Sequence, residues 1–278
     1  MTTWTCFDVT MDGAVAHVRM NQPQRHNAMT PAFWAEIPQL FRQLDEAGGV
    51  RAAVLSSDGR HFSAGMDLSV FANAGTLGTV DVAARERFRH QLKKLQLCFT
   101  AIAEVRFPVI AAIQGGCIGG AVDLATACCL RYCSRDAWFC IQEINIGMMA
   151  DVGTMNRMPK QIPEAVMREL AYTGDRLGAE RAERLGFVNG LFDDAAATVA
   201  GALAVAQKIA ARAPVAVAAT KEMINYTRDH SVAESFTYMN ALQPGVFDPE
   251  DIARAVAGQK AGTPAVFTDF APIAPPLG

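Results

Sequence analysis

The chain has 278 residues, of which 51% are hydrophobic and 19% are charged, and its formal net charge is −3 at pH 7. This composition is typical of a globular enzyme with a large core, and the low share of charge is expected of a chain partly covered in an oligomer. Basic and acidic residues are interspersed, which argues against a general nucleic-acid-binding protein. The seven cysteines form no Cys-x-x-Cys pair and no secretory signal pattern begins the chain, so free thiols and a cytoplasmic location are predicted.

Apolar, β-branched runs alternate with helical patterns through the first two-thirds of the chain. Asp12-Gly13, between two such runs, predicts a β-hairpin. Thr30 and Pro31 predict the N-cap and the first residue of a helix. The elements predicted in this part are strands at 7–10, 15–20 and 51–56, helices from 31 to about 47 and at 83–104, a central strand and helix within 109–129, and short strands near 130–133 and 137–141.

Beyond Asp151 the patterns are helical only, and neither a domain-separating linker nor a fixed-period repeat is visible. An α/β fold with a helical C-terminal third is therefore predicted. The stretch 109–130 is long and apolar, but its four glycines, Gln114 and Asp123 argue against a membrane span. The helices predicted after Asp151 are 163–171, 179–185, 195–212, 215–226, 231–242 and 249–257.

Three carboxylates surround a strand–glycine–helix junction in the middle of the sequence. An apolar run leads into four glycines at 115–120 and then into a helix pattern that carries Asp123. Such a junction leaves backbone N–H groups without acceptors, so it can hold a developing negative charge. Asp123 has apolar neighbours on every side of its helix, and a buried carboxylate is costly unless it is paired or functional. With Glu143 and Asp151 following, the pattern indicates proton transfer on an anionic intermediate.

Simpler interpretations of the same acids and glycines stay open. Asp123 could be a solvated carboxylate in the first turn of a helix, and Glu143 and Asp151 could be ordinary loop residues. The glycine run lacks dinucleotide-binding spacing because Cys117 stands where glycine is required, and it lacks the Lys-Ser/Thr of a P-loop.

A second chemistry also matches the glycine run, because Cys117 between two glycines fits a nucleophile elbow. That reading needs a histidine downstream, and His230 alone qualifies, so a small buried residue is the simpler interpretation. The five histidines show no metal-binding spacing, and therefore neither a metal site nor a bound cofactor is predicted.

Four segments carry a family resemblance: Asn27-Ala28, 62–68 (Phe-Ser-Ala-Gly-Met-Asp-Leu), 115–124 and 177–189. They resemble the crotonase (enoyl-CoA hydratase/isomerase) superfamily and, within it, the Δ3,5-Δ2,4-dienoyl-CoA isomerases. Hydratases of the superfamily usually have Glu at the position of Asp123 and Gly at that of Asp151, whereas the dienoyl-CoA isomerases resemble this chain at all three acids. Two departures from the isomerase pattern are Ala121, where a third Gly is common, and Gln114, where His or Asn is common.

The resemblance implies an enzyme of fatty acid β-oxidation that converts a 3,5-dienoyl-CoA to a 2,4-dienoyl-CoA. Asp123, Glu143 and Asp151 would be the catalytic carboxylates. Asp151 would remove the proton at C2 and Glu143 would deliver one at C6, with the two roles still interchangeable, and Asp123 would support the pair. The backbone N–H groups of Met66 and Gly120 would form an oxyanion hole for the enolate. The implied substrate-binding residues are Ala64, Gly65, Met66, Asp67, Leu68 and Gly120.

The fold implied by the resemblance is a crotonase-like spiral of ββα units followed by a C-terminal helical trimerisation region. Residues 1–194 would form the spiral core with the active site, and residues 195–278 would mediate oligomerisation and cover the acyl-CoA site. The implied partners are the acyl-CoA substrate, which brings its CoA as part of itself, and further copies of the chain in a trimer or a dimer of trimers. Alternatives are an enoyl-CoA hydratase, a Δ3,Δ2-enoyl-CoA isomerase, and a non-catalytic acyl-CoA-binding or RNA-binding relative.

Overall fold

A computed structural model describes residues 3–67, 69–72 and 81–274 of the chain. The strands within the described ranges are β1 (Phe7–Asp12), β2 (Val15–Met20), β3 (Ala52–Ser57), β4 (Val109–Ile113), β5 (Gly116–Ile118), β6 (Leu130–Ser134), β7 (Trp138–Cys140), β8 (Leu177–Gly178) and β9 (Gly190–Phe192). The α-helices are α1 (Pro31–Glu46), α2 (Ser69–Ala72), α3 (Val82–Glu104), α4 (Gly120–Ala127), α5 (Thr154–Arg157), α6 (Glu164–Thr173), α7 (Ala179–Arg184), α8 (Ala195–Ala210), α9 (Pro214–Asp229), α10 (Val232–Val246) and α11 (Pro249–Ala261).

The strands form two sheets. The larger has the order β1-β2-β3-β4-β6-β9, with only the β1–β2 pair antiparallel. The smaller has the order β5-β7-β8. Every residue of β3 and β4 is buried, which explains why residues 52–55 and the whole of β4 are continuous apolar runs without alternation. Helices α1, α3 and α4 contribute to the core on one side of the large sheet, and α8 packs on its other side.

The N-terminal predictions are confirmed, with one shift in the hairpin. Asp12 pairs with Val15, so the two-residue turn is Gly13-Ala14, and the positive φ of +57° at Gly13 suits a glycine there. Thr30 caps α1 by accepting a hydrogen bond from the Phe33 amide at 3.3 Å, and Pro31 is the first helical residue. The helix ends one residue before the predicted position.

Helix α1 is held by its apolar face. Four large residues on that face are at most 2% exposed, and each contributes about 1.5–3 kcal/mol through its burial. The opposite face carries polar residues, which is the pattern of a helix packed on a core. The four residues are Phe33, Ile37, Leu40 and Phe41.

The prediction that only helices follow Asp151 is wrong. Leu177–Gly178 pairs antiparallel with β7, and Gly190–Phe192 pairs parallel with β6 at the end of the large sheet. Strands of two and three residues are too short to show an alternating pattern, so only their partners define them. The glycine run also contains a strand, β5, where the sequence pattern indicated a direct junction between a strand and a helix.

The C-terminal region is helical from Ala195 to Ala261, as predicted, and the described residues 262–274 after it form no helix. Its first helix, α8, is part of the core, because Ala202 and Ala206 are fully buried against the large sheet. The boundary between residues 194 and 195 stays a prediction. Among the described residues no single helix is long and apolar enough to cross a membrane. Helices α8 and α9 reach that length and hydropathy only when they are taken together, and the angle of the bend between them is 110°.

Candidate active site

The loop before Leu68 is fixed against the central glycine run. Ser63 bridges to Cys117, donating its amide to Gly116 O at 3.2 Å and accepting from the Ile118 amide at 3.1 Å. The Ser63 hydroxyl donates to Asn27 O at 2.7 Å and accepts from the Gly65 amide at 3.0 Å. These contacts place residues 63–67 beside the start of α4.

Two backbone N–H groups converge at this point. Met66 and Met29 form a parallel β-bridge. The Met29 amide donates to Gly65 O at 2.8 Å, and the Asp67 amide donates to Met29 O at 3.3 Å. Because both hydrogen bonds use the neighbours of Met66, the N–H of Met66 itself points away from the bridge. Gly120 is the first residue of α4, and its N–H has no acceptor within the helix. A Cβ built on Gly65 would lie 3.2 Å from Gly120 N, and one built on Gly120 would lie 3.7 Å from Met66 N. In the described part of the chain neither N–H donates to a backbone acceptor.

Asp123 is buried in α4, with 1% of its surface exposed. All eight residues of this helix are buried, so the alternative of a solvated carboxylate is wrong. The Oδ1 atom accepts a hydrogen bond from the Thr154 amide. Burial raises the pKa of Asp123 to about 6, and the hydrogen bond from the Thr154 amide opposes the rise.

Glu143 lies in the 3₁₀ helix Gln142–Ile146, with its carboxylate over Gly119. Its Oε1 atom is 3.0 Å from where a Cβ on Gly119 would lie, so a larger residue there would displace the carboxylate. Its Oε2 atom is buried and has no hydrogen-bond partner among the described residues. Burial, followed by the negative charges of Asp123 and Asp151, raises the pKa of Glu143 to about 7. This side chain can therefore carry a proton near neutral pH.

Asp151 is half-buried in the loop before α5. Its carbonyl oxygen accepts a hydrogen bond of 2.8 Å from Nε2 of Gln96 on α3. Burial raises the pKa of its carboxyl group. Because the charge of Asp151 in turn raises the pKa values of both Asp123 and Glu143, the three carboxylates share one electrostatic site.

The remaining predicted binding residues lie along the loop. The Ala64 amide donates to His26 O at 2.9 Å, and Asp67 forms an ion pair with Arg25. Hydrogen bonds from Ser69 and the charge of Arg25 lower the pKa of Asp67, so it stays ionised. Leu68 lies outside the described residues.

The sequence did not predict two side chains that hold the segment 151–157, Gln96 and Arg157. Gln96 bonds Asp151 O, and Arg157 Nη2 donates to Thr100 Oγ1 at 3.1 Å. Both partners come from distant parts of the sequence, so no local signal marks these residues.

The cysteine-nucleophile alternative finds no support in the geometry. Cys117 is fully buried in β5, and burial raises the pKa of its thiol well above the usual value. His230, the histidine that reading requires, lies at the end of α9, where its ring stacks on Tyr226. Among the described residues no group of three or more His, Cys, Asp or Glu side chains could hold a metal ion.

A cavity of about 890 Å³ lies elsewhere in the described structure. It opens between the C-terminal end of α4 and α9, where Thr126 and Ile224 line opposite walls, and none of the three carboxylates lines it. A cavity of this volume could hold a ligand. Proton transfer, however, needs the three acids and the two N–H groups, which lie toward the other end of α4.

Comparison with known proteins identifies the scaffold. The sequence pattern of the Enoyl-CoA hydratase/isomerase family matches residues 10–265. The chain belongs to the crotonase superfamily. The human mitochondrial Delta(3,5)-Delta(2,4)-dienoyl-CoA isomerase is 40% identical over 245 residues, which cover 87% of this chain and 75% of that protein. The peroxisomal isomerase of the same name from Arabidopsis thaliana is 36% identical over 251 residues, covering 89% and 90%.

Solved structures agree with the crotonase assignment. Enoyl-CoA hydratase from Mycobacterium tuberculosis H37Rv superposes with a TM-score of 0.82 at 31% identity, over 95% of this chain and 98% of that one. The predicted crotonase-like fold and the enzyme class, an isomerase of the superfamily, are confirmed by these relatives.

The buried Asp123 should cost stability in its ionised form. In the unfolded chain its carboxyl titrates near 3.8, and in the folded chain at about 6, so folding favours the protonated form. The penalty is absent below the unfolded value and complete above the folded one. We therefore expect Asp123→Asn to raise the free energy of unfolding at pH 8 by about 3 kcal/mol, and by less at pH 5.

Denaturant unfolding at the two pH values measures this effect. Asp193→Asn is the control, since that side chain is 90% exposed, and it should leave stability almost unchanged at both. An equal gain for Asp123→Asn at pH 5 and pH 8 would show that its ionisation is not the cause.

Proposed function

We propose that this protein is a Δ3,5-Δ2,4-dienoyl-CoA isomerase of fatty acid β-oxidation that works without a bound cofactor. The observation that carries the proposal is the third acid: Asp151 and Glu143 both have raised pKa values beside a third carboxylate, Asp123. Moving two double bonds requires one group that accepts a proton and one that donates a proton. The relatives named above as dienoyl-CoA isomerases support the same choice.

The reaction begins at the thioester. Its oxygen lies between the N–H groups of Met66 and Gly120, which stabilise the charge that appears when C2 loses a proton. Asp151 takes that proton, and the electron pair delocalises from C2 to C6 as a trienolate. Glu143 then gives its proton to C6, so that the double bonds at C3 and C5 become double bonds at C2 and C4. One proton enters and one leaves, and the product is an isomer of the substrate.

The protonation states support these roles. Glu143 has a pKa of about 7, and no described residue bonds its Oε2, so it is the carboxyl that can be protonated at neutral pH. The Asp151 carboxyl is less deeply buried than that of Glu143, so it is the one that can be ionised and accept the proton. Asp123 bonds the Thr154 amide and is too buried to reach substrate easily, which suits the supporting role predicted for it.

The C-terminal helices support the proposed homo-oligomer. They expose large apolar side chains that a second copy of the chain would cover, in a trimer or a dimer of trimers. The cytoplasmic location stays a prediction. The exposed apolar residues are Ile224, Val232, Phe236, Phe247 and Ile252.

A substrate comparison tests the proposal. We expect the protein to convert a 3,5-dienoyl-CoA to the conjugated 2,4-dienoyl-CoA, seen as growth of its ultraviolet absorbance, faster than it hydrates a 2-enoyl-CoA or shifts a 3-enoyl-CoA. A hydratase would instead remove the absorbance of the 2-enoyl-CoA. Preferred hydration of that substrate would overturn the proposal.

A further inference from the structure

Arg157 brings a positive charge close to the buried acid Asp123. It is the last residue of α5, and its Nη1 atom lies over Gly153 so closely that a Cβ there would overlap it. The same Cβ position is 4.0 Å from Oδ1 of Asp123. The guanidinium and the carboxylate therefore both lie close to the space that a Cβ on Gly153 would occupy, and only glycine leaves that space free.

Helix α3 contacts both ends of the segment 151–157, which carries Asp151 and Arg157. Gln96 holds Asp151 O at 2.8 Å, and Thr100, one turn later on the same face, accepts from Arg157 Nη2 at 3.1 Å. The Thr100 hydroxyl itself donates to Gln96 O at 2.9 Å. The guanidinium is thus oriented by a helix that contributes none of the three acids.

The charge of Arg157 affects the pKa of Asp123, and the charge of Asp123 affects the pKa of Glu143. Arg157 favours the ionised form of Asp123, and the charge of Asp123 is in turn the second-largest cause, after burial, of the raised pKa of Glu143. Burial and Arg228 on α9 lower the pKa of Arg157 itself, and Asp123 opposes them. The other charged or titratable groups that face these residues are Asp151, Glu104 on α3 and the Cys128 thiol.

We propose that Arg157 is a positioning residue that keeps Asp123 ionised and thereby places the single shared proton of the three acids on Glu143. The proposal rests on the isomerase function above, because that chemistry requires a protonated Glu143 and an ionised Asp151 in the resting enzyme. Arg157 acts through Asp123 and does not touch substrate.

Loss of the positive charge should change the pH profile rather than substrate binding. In Arg157→Met, Asp123 keeps its proton to higher pH, and Glu143 therefore loses its own at lower pH. We expect the falling limb of kcat to move down by about one pH unit, with about a tenfold loss of kcat near pH 7.5 and little change in KM. Arg157→Lys keeps the positive charge, so its falling limb should lie close to the wild-type position. A loss by the same factor at every pH would show a merely structural role and overturn the proposal.

An infrared titration separates this proposal from the proposed activity. The carbonyl band of protonated Glu143 is the one that disappears in Glu143→Gln, and its midpoint pH is measured in the full-length protein without substrate. We expect the midpoint to fall in Arg157→Met and to stay near the wild-type value in Arg157→Lys. On an Asp123→Asn background, Arg157→Met should have a much smaller effect, because the coupling passes through Asp123.

The outcomes are distinct. A midpoint that falls in Arg157→Met, in a protein that does not isomerise a 3,5-dienoyl-CoA, supports the positioning role and overturns the function. An unchanged midpoint in an active isomerase overturns the positioning role. If Arg157→Met does not fold, Thr100→Val removes the hydrogen bond to Nη2 and should move the midpoint in the same direction by a smaller amount; no movement there also overturns it.

Discussion

Glu143→Gln and Asp151→Asn should each lower kcat for a 3,5-dienoyl-CoA by about 10²–10⁴-fold, with little change in KM. Each substitution keeps the size of the side chain and removes one proton-transfer group. Measurement of initial rates by ultraviolet absorbance gives the loss directly. Asp193→Asn, at a side chain that is 90% exposed, is the matched control and should retain the wild-type rate.

The two variants should differ in proton exchange, which assigns the roles. With Asp151 intact, Glu143→Gln can still remove the C2 proton, so in D₂O the recovered substrate should carry deuterium at C2 although product does not form. Asp151→Asn should show neither exchange nor product. The reverse pattern would exchange the roles of base and acid, and full activity in either variant would contradict the carboxylate mechanism.

Gly65→Ala should lower kcat by about 10²–10³-fold, because it disturbs the oxyanion hole. Gly65 has a φ of +79°, and a Cβ there would overlap the carbonyl oxygen of Ile118 and lie 3.2 Å from Gly120 N. The backbone must move to relieve that overlap, and the two N–H groups that hold the thioester oxygen would move with it. Rates on 3,5-dienoyl-CoA, with circular dichroism to verify folding, measure the effect.

Gly186→Ala is the matched control for backbone strain. Its φ of +76° is nearly the same, but a Cβ at Gly186 would meet nothing within 4 Å. Both variants should lose about 1–2 kcal/mol of stability from the left-handed conformation. Gly65→Ala should lose more through the overlap with Ile118 O, and it alone should lose most of its activity. Equal activities would argue against an oxyanion hole at this position. If Gly65→Ala does not fold, Gly120→Ala replaces it, since its Cβ would press on the flexible Met29 Sδ at 3.1 Å.

Features with a local signal could be predicted from the sequence. The cap at Thr30 and the hairpin are encoded within a few residues, and the burial of Asp123 follows from a helix that is apolar on every side. The strand Leu177–Gly178 could not be predicted, because two residues carry no periodicity and its partner lies in β7.

The side chains that support the site could not be predicted for the same reason. Gln96 meets Asp151 across 55 positions of sequence, and Arg157 meets Thr100 across 57. Each is an ordinary polar residue in its own helix, and it supports the site only because α3 packs against the segment 151–157. The three acids themselves could be recognised because carboxylates in apolar surroundings are rare.

The most direct test of the account follows the reaction of a 3,5-dienoyl-CoA in D₂O, with the product analysed by nuclear magnetic resonance. Proton removal at C2 and delivery at C6 predict a conjugated 2,4-dienoyl-CoA with one deuterium at C6, since the Glu143 proton exchanges with solvent between turnovers. A 2,5-dienoyl product with deuterium at C4, or a hydrated product, would contradict it.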